Sequence, residues 1–252
     1  MMKVSQLSVV LEHHQILHDI SLDIRQSSFT CIVGKNGSGK STLLKAMNQY
    51  LSYTGTITLD NKDITQISKE ERARMMCYLP QQRSIPNMNV EQLISHGRYP
   101  HLGFSKTLQP RDVKLIQQAA KEAGVENLLH RNLTSLSGGE RQRAYIAMMI
   151  AQDTDYILLD EPTTFLDVEY QLDIMDLLHK LNKQGKTIVM VAHDLPQAFT
   201  YASDIVLMDQ GRIISHSKPD ELIQTDEIYR CFGVHVRLSQ NPNDLYRYTF
   251  ER

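Results

Sequence analysis

Three short stretches of this sequence combine residue types that handle phosphate, Mg2+ and water. Gly34-Lys35-Asn36-Gly37-Ser38-Gly39-Lys40-Ser41 fits the pattern GxxxxGK[ST] and runs on into Thr42. Its glycines let backbone N–H groups fold inward around phosphate oxygens, Lys40 can reach the β- and γ-phosphates, and Ser41 can ligate Mg2+. Tyr156-Ile157-Leu158-Leu159-Asp160-Glu161 is an apolar run ending in two carboxylates. Asp160 is placed to hold Mg2+ through water, which leaves Glu161 free to polarise a water for in-line attack on a γ-phosphate. Leu136-Ser137-Gly138-Gly139-Glu140-Arg141-Gln142 sets a hydroxyl and two glycines before a helix-like run from Arg143 to Ala151. That is a second surface suited to phosphate, built from a hydroxyl, close backbone approach and a helix dipole. Taken singly, each stretch has an ordinary reading as a turn, a solvated strand end or a helix cap; their order in one chain argues for the chemistry.

The elements that must position these residues are legible around them. Phe29-Thr30-Cys31-Ile32-Val33 reads as a buried strand breaking into the glycine loop, and Leu43, Leu44, Met47, Tyr50 and Leu51 predict a helix over Ser41 to Leu51. Buried strands are predicted from Tyr156 to Leu159 and from Thr187 to Ala192, so that Asp160 and His193 emerge at strand ends, where α/β sheets bind ligands. The more polar, helix-rich stretch from Arg83 to Ala151 reads as an inserted helical subdomain. Leu7-Ser8-Val9-Val10 and Ile20-Ser21-Leu22-Asp23-Ile24 alternate, predicting a small β-rich edge that continues into the main sheet. The tail from Asp226 is too short for another domain. The expectation is one α/β domain over 1–252, its catalytic core at about 1–82 and 152–252 and its helical subdomain at 83–151.

Composition sets the outer bounds. Of 252 residues, 41% are hydrophobic and 22% charged, ordinary for a globular chain, so disorder, fibres and repeat arrays are excluded. Lys plus Arg number 27 against 29 Asp plus Glu, a net charge of −2, so there is no broad electrostatic footprint for nucleic acid. The longest apolar runs, such as Ala144 to Ala151, fall far short of the roughly 18 residues of a membrane span. The N-terminus lacks the apolar core of a signal peptide, and a cytoplasmic location is expected. Cys31, Cys77 and Cys231 are widely spaced and read as buried, reduced thiols without a chemical role.

The Leu136 to Gln142 stretch resembles the LSGGQ signature of ABC ATPases, with Glu140 where Gln is commonest, and Tyr156 to Glu161 is the Walker-B pattern. Gln81, in Tyr78-Leu79-Pro80-Gln81, resembles the Q-loop glutamine, with Gln82 as its substitute. Thr164-Phe165-Leu166-Asp167 resembles the D-loop, and His193 the switch histidine. The resemblance covers about Lys3 to Asp226 through six ordered motifs. It implies a P-loop NTPase cassette with a RecA-like core, an N-terminal β-rich subdomain and a helical subdomain. It further implies an ATP hydrolase using ATP and Mg2+. Gly34 to Thr42, Gln81, Ser137 to Glu140, Asp160 and Asp167 would contact nucleotide, and Ser41, Gln81 and Asp160 the metal. Glu161, His193, Gln81 and Lys40 would act in catalysis. In this family the signature of one subunit covers ATP held by the phosphate loop of the other, so a second copy is an implied partner. One departure is at the adenine-stacking position, where Leu11 replaces the usual aromatic residue and His13 is the nearest ring.

Among ABC proteins, the absence of long heptads between Gly34 and Asp160 argues against a DNA-repair ATPase. A single cassette argues against a translation factor, and Leu128-Leu129-His130-Arg131-Asn132 lacks the exporter segment before the signature. Asn89-Val90-Glu91-Gln92-Leu93 and His96-Gly97-Arg98-Tyr99-Pro100-His101 resemble the ATPases of ferric-siderophore, haem and cobalamin importers. The expected function is therefore the ATP-binding subunit of an iron-siderophore importer. It would lie at the cytoplasmic face of the membrane, attached to a multi-span permease served by an extracellular substrate-binding protein. Residues Arg83 to Phe104, following Gln81, are the expected permease contact, with Arg98 within it. Zinc or manganese, haem and cobalamin import are the alternatives of the same class, and a soluble P-loop ATPase switch is the alternative of another.

Overall fold

Alternating burial along Met2–Leu11 (β1) and His14–Ile24 (β2) gives each strand one apolar and one solvated face, and the two pair antiparallel. The computed structural model describes residues 1–81, 84–103, 107–239 and 246–251. Phe29–Gly34 (β3) is buried almost throughout and leads through the glycine loop into Lys40–Met47 (α1). Thr54–Leu59 (β4) and Lys62–Asp63 (β5) complete a four-stranded antiparallel sheet of order β2-β1-β4-β5. Lys69–Met75 (α2) and Met76–Leu79 (β6) precede three helices, Val90–His96 (α3), Pro110–Glu122 (α4) and Gly138–Gln152 (α5). The chain then alternates through Tyr156–Asp160 (β7), Val168–Lys183 (α6), Thr187–Val191 (β8), Leu195–Tyr201 (α7), Asp204–Asp209 (β9) and Arg212–Ser217 (β10). Pro219–Leu222 (α8), Glu227–Phe232 (α9) and a hairpin of His235–Leu238 (β11) and Tyr248–Glu251 (β12) end it.

The larger sheet has the order β10-β9-β3-β8-β7-β6, parallel except for β10. Its central strands are apolar on both faces because both are covered. Ile32, Leu158, Val189, Val191, Val206 and Met208 face α1 and the antiparallel sheet. Cys31, Val33, Ile157, Leu159, Met190 and Leu207 face the helices on the other side. All three cysteines are buried and free. Among the described residues, no helix is long and apolar enough to cross a membrane.

The structure corrects the sequence reading in several places. The first 24 residues do not extend the main sheet; they belong to a separate sheet, joined to it where the His18 N–H donates to the Gly211 carbonyl at 2.9 Å. Helix α1 stops at Met47, four residues short of Leu51. Its C-cap is Asn48, and Gln49 turns left-handed at φ 56, which throws Tyr50 out to 67% exposure. The helical run after the signature begins earlier than Arg143, because Ser137 and Glu140 form a capping box that starts α5 at Gly138. The tail from Asp226, read as too short for another domain, forms α9 and, among the described residues, the paired strands β11 and β12.

Arg98 is the largest correction. It was expected on a docking surface, yet it is 4% exposed. Its Nε donates to Asp112 Oδ1 at 2.9 Å and its Nη1 to the Ala151 carbonyl at 2.7 Å. Asp112 in turn accepts the Gln109 N–H at the start of α4. One guanidinium thus ties the end of α3 to the start of α4 and the end of α5. Gln82, Arg83 and Phe104 lie outside the described residues.

Candidate nucleotide site

The glycine loop is shaped by two backbone requirements. Gly37 and Gly39 have φ of 81° and 97°, a region L side chains rarely adopt, and a Cβ on Gly39 would also stand 2.7 Å from Leu17 Cδ2. Gly39 is the N-cap of α1 and supplies no side-chain cap, so the first-turn N–H groups point at the loop interior. Lys40 bends back over that interior, its Nζ donating to the Gly34 and Lys35 carbonyls at 2.8 and 2.9 Å. Burial lowers the Lys40 pKa, against the opposing pull of Glu161 and Asp160. The Ser38 hydroxyl is buried in the same loop without a hydrogen-bond partner. Inward N–H groups, a clamped ammonium and an orphan hydroxyl suit a polyphosphate.

At the end of β7, Asp160 is 3% exposed and accepts the Ser41 hydroxyl at 2.7 Å and the Tyr78 hydroxyl at 3.4 Å. Burial raises its pKa, the Ser41 hydrogen bond lowers it, and the neighbouring Glu161 raises it again. The net shift is upward, with burial its largest cause and the Lys45 charge opposing it. Glu161 follows in the left-handed region at φ 50, which swings its carboxylate out of the strand line and into the cavity. There its Oε2 accepts Gln81 Nε2 at 2.6 Å and the Thr164 hydroxyl at 3.0 Å.

A cavity of about 790 Å³ brings these parts together. It is lined by Asn36, Gly37, Gly39, Lys40, Ser41 and Thr42 of the loop, and by Gln81, Glu161 and His193. Gly34, Lys35, Ser38 and Asp160 do not line it; Ser38 and Asp160 are buried and Lys35 is exposed. Asp167 is exposed at the N-cap of α6. The signature residues are elsewhere: Ser137 and Gly138 are exposed at the start of α5, and none of Ser137 to Glu140 lines the cavity. Gly139 is buried for a packing reason, since a Cβ there would stand 2.4 Å from the Tyr170 ring. Neither Leu11 nor His13 lines the cavity; Leu11 packs half-buried against the apolar cluster beneath the antiparallel sheet.

Sequence reasoning missed Ile16, Thr163, Gln171 and Asp194, which also line the cavity. Thr163 was within reach, because it stands two residues after Glu161. Ile16 carried no local signal, as its place depends on how β2 stacks over the loop. Among the described residues, no group of three or more His, Cys, Asp or Glu is arranged to hold a metal unaided.

This geometry agrees with the comparisons to known proteins. Residues 17–164 match the ABC transporter family model. The chain is 40% identical over 230 residues to the petrobactin import ATP-binding protein FpuD of Bacillus anthracis, covering 90% of this chain and 84% of the relative. It is 35% identical over 240 residues to the ferric enterobactin transport ATP-binding protein FepC of Escherichia coli, covering 94% and 89%. Among solved structures, a dimeric ATP-binding cassette in a post-hydrolysis state, bound to ADP and Pi, superposes with a TM-score of 0.77 at 27% identity, covering 87% of this chain and 99% of that one. The family match and these relatives, over a cavity that joins the glycine loop to Glu161, show that this chain belongs to the ABC transporter family as an ATP-hydrolysing, ATP-binding subunit.

Proposed function

We propose that two copies of this chain close around two ATP molecules and drive uptake of an iron-siderophore-type substrate through a separate permease. The carrying observation is the division of the chemistry: one cavity holds Lys40, Ser41, Gln81, Glu161 and His193, while Ser137 to Glu140 lie outside it, with Ser137 and Gly138 exposed. A second copy is the natural source of the missing signature. Phe165, 96% exposed on the cavity rim, and Val168, 59% exposed, give that copy an apolar surface to cover.

In this reading the loop N–H groups and Lys40 bind and orient the β- and γ-phosphates, and His193 hydrogen-bonds the γ-phosphate. Glu161, held by Gln81 and Thr164, orients the attacking water and accepts its proton. Ser41 and Asp160, 2.7 Å apart, and Gln81 would hold Mg2+, which would supply positive charge for the phosphates. The partly exposed segment after Gln81, with Ile85 and Tyr99 at 43% and 50% exposure, is the proposed contact with the permease. The chain would then be peripheral at the cytoplasmic face of the membrane. The cargo rests on the relatives: petrobactin import and ferric enterobactin transport are what their names state.

The variant Glu161→Gln tests the catalytic reading. It keeps the geometry and should bind MgATP, barely hydrolyse it and accumulate as an ATP-bound dimer on size-exclusion chromatography. Normal turnover in that variant removes Glu161 from its role. For the cargo, a deletion strain should fail to grow on ferric siderophore as sole iron source yet grow on haem; the reverse pattern would reassign it.

A further inference from the structure

The signature helix carries a carboxylate where it is meant to face phosphate. Glu140 closes the capping box of α5: its Oε2 accepts the Ser137 N–H at 2.8 Å, and its own N–H donates to Ser137 Oγ at 3.2 Å. This arrangement has a useful side, because Ser137 Oγ acts as acceptor toward the helix and its hydroxyl proton stays free to donate to an incoming anion. It also has a cost. A full negative charge in the first turn outweighs the roughly half positive charge that a helix N-terminus offers. The Glu140 pKa is lowered, first by the Ser137 backbone hydrogen bond, so the group is ionised at neutral pH.

A compensating cation is in contact. Arg131 Nη1 donates to Glu140 Oε1 at 3.3 Å, and Arg131 Nη2 to the Ser135 carbonyl at 2.8 Å. Arg143 adds a smaller electrostatic pull on Glu140, while its hydrogen bond and that of Arg141 go elsewhere. Arg143 pairs with Asp173 at 3.1 Å and lies over the Tyr170 ring, and Arg141 reaches the Leu136 carbonyl at 3.4 Å.

We propose that Arg131 is a positioning residue for hydrolysis in the partner subunit: by holding and neutralising Glu140, it lets the capped helix end present the Ser137 hydroxyl to ATP without a net negative charge. This rests on the two-copy reading above. The pair is 45% and 23% exposed, so in the isolated chain water screens it and it contributes little to stability. Its effect is felt where a closing dimer excludes water from between α5 and the phosphates.

The test combines a charge cycle with a dimer control. Arg131→Gln should lower kcat about three- to tenfold while leaving the melting temperature and the ATP affinity of the isolated chain unchanged. Arg131→Lys, which keeps the charge, should recover at least half of the loss. The deciding comparison is in a Glu140→Gln background, where no charge needs offsetting and Arg131→Gln should change kcat less than twofold. An equal loss in both backgrounds would mean that Arg131 only braces the Ser135 turn, and no loss in either would also overturn the proposal. Size-exclusion chromatography of Glu161→Gln with ATP is run alongside: absence of a dimer there defeats the two-copy reading, and this proposal with it. A dimer that Arg131→Gln weakens only when Glu140 is present supports both.

Discussion

Charge reversal at Arg98 should unfold the helical layer rather than uncouple it from a partner. The Arg98 and Asp112 side chains are 5% and 9% exposed, and the guanidinium has no solvent-facing alternative to Asp112 and the Ala151 carbonyl. Removing one member of a buried ion pair costs about 3–5 kcal/mol, because the other charge is left without a counter-charge. Arg98→Glu adds repulsion between two carboxylates at hydrogen-bonding distance, so the upper end applies. Against a typical total stability of about 5–15 kcal/mol that is a large fraction. For a chain of this size each kcal/mol moves the melting temperature by roughly 2–4 °C, so the expected fall is on the order of 10–20 °C. Arg98→Met combined with Asp112→Leu should recover most of it, since apolar replacement of both partners is often neutral. The sign with pH also follows. Burial pushes the Asp112 carboxyl up, but the Gln109 N–H and Arg98 pull it further down, so its folded pKa is depressed. Its contribution is present above the unfolded carboxylate value near pH 4 and is lost as pH falls through the folded value. Thermal melts followed by circular dichroism decide the matter. An Arg98→Glu chain that melts within 2 °C of the parent, with transport alone impaired, would show that the side chain is a surface contact after all.

Two further outcomes follow from the site geometry. Gly139→Ala should cost about 1–3 kcal/mol of stability, because the added Cβ stands 2.4 Å from the Tyr170 ring and α5 and α6 must part; Tyr170→Ala in the same chain should restore the melting temperature, and a Gly139→Ala chain that melts normally would show that the ring swings away freely. Ile16→Ala should weaken ATP and GTP alike by about fivefold, the factor matching roughly 1 kcal/mol of lost apolar contact; fluorescent-nucleotide titration reads it, and unchanged affinity for both would place the base away from Ile16.

How far the sequence reached depends on the range of the interactions involved. Strands β3, β7 and β8 were legible to within a residue, because a strand buried on both faces is a short apolar run bounded by polar residues, and that is a local property. The end of α1 was not, because the chain turns at Gln49 in a left-handed conformation without the glycine that usually marks a helix end. The layer to which β1 and β2 belong was also hidden. Their alternation specifies one wet face, yet the choice between extending the parallel sheet and stacking over it is made by contacts with β4 and β10, distant in sequence. Arg98 misled for a related reason: an arginine among polar residues reads as surface, and the carboxylate that buries it stands beyond an intervening turn.

The same distinction explains why the glycine-loop half of the cavity, proposed to handle phosphate, was easier to read than the half beside Ile16, proposed to face the base. Phosphate binding is built from backbone N–H groups and a helix end, and the glycines needed to expose them must be adjacent in sequence. The base end is made of whatever side chains the neighbouring sheet happens to present. With β2 stacked over the loop, the Ile16 carbonyl stands 3.4 Å from where a Gly39 Cβ would lie, and it is this side chain, rather than Leu11 or His13, that reaches the cavity. The signature divides in the same manner. Its capping box is a four-residue pattern visible in Ser137 and Glu140, whereas the charge on Glu140 acquires its meaning from Arg131 on the preceding turn. A motif written as a string therefore gives the backbone chemistry, and the charge balance that tunes it must be read from the fold.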